Sequence, residues 1–148
     1  MKNNTQKIDI RKEQTCALIS YTDRVPADAY ENLYREADNF IQSTDEPCFL
    51  VGGNNKFDMG CINVILALKH IYPDKNVRII YIARHGSRYM DNASQEIREC
   101  DEVRVCESSR WTVGKKANRL IKQYMINQSS AVLVYFSDAP AQIFKSLS

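Results

Sequence analysis

The sequence predicts an α/β fold: a mostly parallel sheet of about five strands, flanked by helices on both faces. Near-continuous apolar runs are the first observation behind this, because such runs suit strands covered on both sides. Segments of helical periodicity alternate with those runs from one end of the chain to the other, which implies right-handed βαβ crossovers. The length of 148 residues fits one domain with one core.

In chain order, the first strand is the run from Thr15 to Ser20 (TCALIS). Tyr30, Leu33, Tyr34, Ala37, Phe40 and Ile41 then recur at i, i+3, i+4 and i+7, a helix with Pro26 near its start. Cys48 to Val51 is the second strand. The second helix runs from about Asp58 to Tyr72 and stops before Pro73. It is apolar around much of its circumference and therefore well buried. Val77 to Ala83 forms the third strand, a short helix spans Ala93 to Cys100, and Glu102 to Cys106 forms a further short strand. Val113, Ala117, Leu120, Ile121 and Tyr124 give one clean apolar face to the last helix, and Ala131 to Phe136 is the last strand.

Composition excludes several classes. Lys+Arg number 20 against Asp+Glu 18, a net charge of +2, so the whole molecule does not announce a polyanion partner. No apolar run approaches the roughly 20 residues of a membrane span. The opening MKNNTQKIDIRKEQ (1–14) is polar and lacks the apolar core of a signal peptide, so it reads as a solvated tail before one domain over 15–148. Cys16, Cys48, Cys61, Cys100 and Cys106 are odd in number and form no CxxC pair. They read as small buried hydrophobes of a cytoplasmic protein, without disulfides or structural zinc.

The stretch FLVGGNNKFDMG, Phe49 to Gly60, looks most like a working site. In parallel sheets ligands bind outside the carboxyl ends of strands, and Gly52 and Gly53 stand at such an end. Glycine permits positive φ and close approach of a ligand to the backbone. The following helix offers unpaired N–H groups and a partial positive charge, which favour a phosphate. Asn54 suits the turn, and Asp58 is placed to cap the helix or accept a hydrogen bond from a ribose hydroxyl. Neither GxGxxG nor GxxxxGK[ST] is present. On spacing alone a plain strand-to-helix corner, common in α/β folds without ligands, is the commoner reason for such a glycine pair.

TCALISYTDR, then FLVGGNNKFDMG and ALKHIYPDKNVRIIYIA, and later CESSRWTVGKKANRLIKQYMINQSSAVLVYFSD together resemble the YpsA-like branch of the SLOG superfamily. These are Rossmann-like domains related to DprA and the LOG nucleotide hydrolases. The resemblance spans about Thr15 to Asp138. It implies a Rossmann-like three-layer fold and a nucleotide or ADP-ribose-like ligand, with Arg24 and Arg119 as phosphate contacts; Lys56 is a further candidate, as a point charge for a phosphate. The departures are specific. The first turn keeps Arg24 but loses the family's glycine and histidine, and Lys56 stands where the family has glycine. Anchoring the later motif on Trp111 and Gly114 brings Arg119 to the family arginine; anchoring it on Tyr124 and Met125 brings Ile121 there. The glycine turn that follows the family's last strand and the LOG signature PGGxGTxxE are both missing.

Other candidates for chemistry are few. His85 follows the third strand and could act as acid or base with Asp91 or Glu96, while His70 reads as a surface residue. Arg104, Arg110, Lys115, Lys116, Arg119 and Lys122 cluster around the last helix. Lys115, Arg119 and Lys122 share one face opposite the apolar stripe, open to a nucleotide phosphate, a nucleic-acid backbone or water alone. The expected function is therefore binding of a small nucleotide-derived ligand at Gly52, Gly53, Asn54, Lys56 and Asp58, in a sensor or regulatory role. The alternatives are a hydrolase of a nucleotide N-glycosidic or phosphate bond using Asp58 or His85, and a relative with a closed pocket working through protein or DNA contacts. Nucleic acid is the less expected partner, no membrane partner is expected, and a homo-oligomer stays open.

Overall fold

The computed structural model of the chain describes residues 7–22, 24–53, 55–86, 94–135 and 144–147. The elements follow one another as β1 (Thr15–Ser20), α1 (Ala27–Gln42), β2 (Cys48–Val51), α2 (Asn55–Ile71), β3 (Arg78–Arg84), α3 (Gln95–Glu99), β4 (Glu102–Cys106), α4 (Gly114–Asn127), β5 (Ala131–Tyr135) and β6 (Phe144–Leu147). Five strands lie parallel in the order β4-β3-β2-β1-β5, and β6 joins β5 antiparallel at one edge. With helices packed on both sheet faces, this is a Rossmann-like three-layer α/β fold.

The alternation of side chains along each strand divides the core in two. Cys16, Leu18, Phe49, Val51, Ile79, Tyr81 and Leu133 face α1, α2 and α3, where they meet Leu33, Ala37, Ile41, Phe57, Ile62 and Ile65. Ala17, Ile19, Leu50, Ile80, Ile82, Val132 and Val134 face the other way, toward Ile121 and Met125 of α4. Strands β1, β2, β3 and β5 are buried on both sides over most of their length, so their sequences read as near-continuous apolar runs. Every cysteine is buried and none is in a disulfide.

Four details differ from the sequence expectation. Helix α2 starts at Asn55, so Asp58 lies inside its first turn and is not the cap. Val113 is 76% exposed and occupies the cap position of α4 instead of its apolar face. The segment before β1 is not simply a solvated tail. The Ile8 N–H donates to Glu102 Oε1 at 2.6 Å, Arg104 Nη2 donates to the Ile8 carbonyl at 2.6 Å, and Ile8 and Ile10 pack against the α4-side core. Their alternation suits a chain laid along a sheet face. Finally, Arg104 belongs to this inner network with Glu102 (2.7 Å) and not to a basic surface on the last helix.

Candidate functional site

Following β1 at the carboxyl edge of the sheet come Tyr21, Thr22 and Arg24, and following β2 come Gly52 and Gly53. The chain adds β2, β3 and β4 outward on one side of β1 and then returns to place β5 on its other side. The carboxyl end of β1 therefore borders the crevice where strand order reverses, the position at which open α/β sheets take ligands.

Each glycine of the turn has its own reason to be there. A Cβ on Gly52 would stand 2.5 Å from the carbonyl oxygen of Ile82 in the neighbouring strand β3. That is a backbone atom with no freedom to withdraw. Gly53 has φ +84, and a Cβ there would meet the Asn118 carbonyl of α4 at 3.3 Å. So the glycine pair admits the protein's own neighbours first: β3 against Gly52, and α4 against Gly53.

What α4 brings to this turn is Lys122. Its side chain is almost enclosed, at 8% residue exposure, and Nζ donates to the Gly53 carbonyl at 3.3 Å. The ring of Tyr21 lies 5.3 Å from the same ammonium, a cation–π contact. Burial lowers the pKa of Lys122, and the negative charge of Asp58 opposes that shift. Asp58 is fully buried in the first turn of α2, where the positive end of the helix dipole favours a carboxylate. Its charge adds to the burial that pushes the Tyr30 phenol up to about 12 and the Cys61 thiol well above its ordinary value.

Of the residues expected at the site, Gly52, Gly53 and Asp58 come together around this junction. Lys56, Arg24 and Arg119 are exposed, and none of the three has an ion-pair partner among the described residues. Asn54 lies outside the described residues. Lys122 was expected on a solvent face with Lys115 and Arg119; instead it turns inward, and its ammonium meets the Gly53 carbonyl. The sequence signal for it was present but weak: a lysine one position after the buried Ile121.

Among the described residues His85 meets Glu107 and not the expected Glu96. Its Nε2 stands 3.6 Å from Glu107 Oε2, and its backbone N–H donates to Ser109 Oγ at 2.8 Å. Glu96 instead accepts from Asn63 Nδ2 at 3.2 Å, and Asp91 lies outside the described residues. Among the described residues no group of three His, Cys, Asp or Glu could hold a metal ion, and no helix is long and apolar enough to cross a membrane. A groove of about 490 Å³ runs along β4 past Glu102, Arg104, Glu107 and Tyr124, at the sheet edge and away from the glycine turn. No protein-family model matches the chain, and no curated protein does.

Proposed function

We propose that the protein binds a nucleotide or ADP-ribose-like ligand at the carboxyl edge of β1 and β2, in a sensing or regulatory role. The observation that carries this reading is the Lys122 ammonium held at the left-handed Gly53 beside the strand-order reversal. An ammonium has three donors, and one of them goes to the Gly53 carbonyl. A ligand phosphate entering between Tyr21 and Gly53 would take the donors that remain, with Arg24 and Lys56 at the rim. The likeness of the glycine turn and its flanking segments to the YpsA-like branch of the SLOG superfamily supports the same ligand class. Binding is preferred to hydrolysis because Asp58 is enclosed in the core while Arg24 and Arg119 stand in solvent.

The test is calorimetric titration of the wild type, Lys122→Met and Arg24→Gln with ADP-ribose, NAD and nucleoside phosphates. One of these compounds should bind the wild type, with affinity reduced about ten-fold or more in Lys122→Met, the order expected for one charge-assisted contact. Absence of binding to the wild type, or equal affinity in all three proteins, removes the site from this turn.

A further inference from the structure

The surface around the start of α4 carries charge and an aromatic ring that the fold does not use. Between Glu107 and Asp138 the chain has no acidic residue, yet it has Arg110, Lys115, Lys116, Arg119 and Lys122. A molecule of net charge +2 thus gathers much of its excess positive charge in one segment. Arg110, Lys115, Lys116 and Arg119 are all exposed, and none has an ion-pair partner among the described residues. Lys115 and Lys116 stand in the first turn of α4, where the helix dipole disfavours cations. Val113, in the cap position, gives that turn no side-chain hydrogen bond. This arrangement works against the helix itself, and a polyanion would relieve it.

Beside these cations stands Trp111, the chain's single tryptophan. It is 90% exposed and has φ +67, a conformation uncommon for a bulky residue. No core packing holds the ring there. Arg110 lies 5.3 Å from its centroid, the stacked guanidinium–indole contact that also favours a base. Tyr21, 67% exposed, lies near Lys122 farther along α4. From Lys115 to Lys122 the helix advances roughly 10 Å, so an aromatic ring stands toward each end of a basic ridge.

We infer that this surface binds single-stranded nucleic acid without sequence preference. Lys115, Lys116 and Arg119 neutralise backbone phosphates, and Trp111 stacks on an unpaired base. A duplex hides its base faces and leaves Trp111 without a partner. An anionic membrane would use the same cations, but one indole and Val113 are little apolar surface to bury in lipid. The inference stands apart from the ligand proposed at Gly53: Trp111, Lys115, Lys116 and Arg119 lie outside that junction, and only Tyr21 and Lys122 are shared with it.

Trp111 is its own reporter. Short oligo(dT) added at low salt should quench its fluorescence, and log affinity should fall with log salt at a slope of about −0.7 per neutralised phosphate. Anisotropy of a labelled oligo(dT) should show about a ten-fold loss in Trp111→Ala. The triple variant Lys115→Gln, Lys116→Gln, Arg119→Gln should bind more weakly with a flatter salt slope. All four side chains are exposed, so circular dichroism and melting temperature should stay near wild type. The inference is overturned if low-salt oligo(dT) gives no quenching, if Trp111→Ala binds as wild type does, or if duplex outcompetes single strand. A blue shift with phosphatidylserine vesicles and no response to oligo(dT) would assign the surface to a membrane instead.

Discussion

Lys122 and Gly53 are 69 positions apart in sequence, and the lysine ammonium donates to the glycine carbonyl at 3.3 Å. This bond ties α4, which covers one face of the sheet, to the turn that ends β2 and opens α2 on the other face. A desolvated cation is costly, and here it is set against a carbonyl, an aromatic ring and the nearby charge of Asp58.

The lysine predicts a pH dependence. Burial holds its pKa below the ordinary 10.5, so in the interval between the folded value and 10.5 the unfolded chain binds more protons. Stability from this group therefore rises with pH across that interval and is fully present above 10.5. Melting curves of the wild type and Lys122→Met should show their difference moving in favour of the wild type as pH approaches that value. A difference constant in pH would contradict the buried ammonium.

Other buried groups act in the opposite direction. Burial pushes Cys48 and Tyr30 up to about 12, from ordinary values of 9.0 and 10.0, and raises Cys16, Cys61 and Tyr81 as well. In each case the unfolded chain loses its proton first. The stability they contribute is present below pH 9.0 and is lost as pH rises through the folded values. Urea midpoints should fall progressively on the alkaline side of pH 9.0, and Cys48→Ala should make that fall shallower. An unchanged slope in Cys48→Ala would place its thiol in solvent.

The two glycines of the turn should differ in their tolerance of alanine. Gly52→Ala drives a Cβ to 2.5 Å from the Ile82 carbonyl, an overpacking against backbone that should cost about 3 kcal/mol. Gly53→Ala adds a Cβ at φ +84, with the Asn118 carbonyl at 3.3 Å, and should cost about 1–2 kcal/mol. Gly53→Asn should be the mildest at that position, since asparagine enters the left-handed region more readily. Denaturant titrations would rank the three, and equal losses at both positions would argue that β3 does not pack as closely as described.

The pair Glu102–Arg104 predicts a double-variant rescue. Both side chains are nearly enclosed, at 6% and 12% exposure, and together they hold the Ile8 backbone through its N–H and carbonyl. Arg104→Met leaves the Glu102 carboxylate buried without its cation and should cost about 3 kcal/mol. Arg104→Met combined with Glu102→Leu should recover most of that loss, because hydrophobic replacement of a buried pair is close to neutral. A double variant as unstable as the single one would show that the Ile8 anchoring, not the charge, dominates.

Strands β1 and β2 were readable in the sequence because they are buried on both faces. Thr15–Ser20 and Cys48–Val51 stand where their apolar runs placed them, and the i, i+4 spacing of Leu33, Ala37 and Ile41 appears as the buried line of α1. These properties depend on neighbours within a few residues. The start of α2 was harder to read, since Lys56 and Asp58 made its first turn look polar while Phe57 and Asp58 wind inward. Burial of a single helical side chain depends on what lies opposite, and that is a matter of tertiary contact. Only the folded chain decides that β5 returns beside β1, that α4 comes close enough to Gly53 to enclose Lys122, and that Trp111, an apolar residue in any hydropathy count, is left in solvent. Local apolar periodicity determined which segments are strands and helices, because burying an apolar face stabilises either one. The site was decided by the contacts between those elements, because a missing Cβ on one chain segment sets how closely another, distant in sequence, can approach.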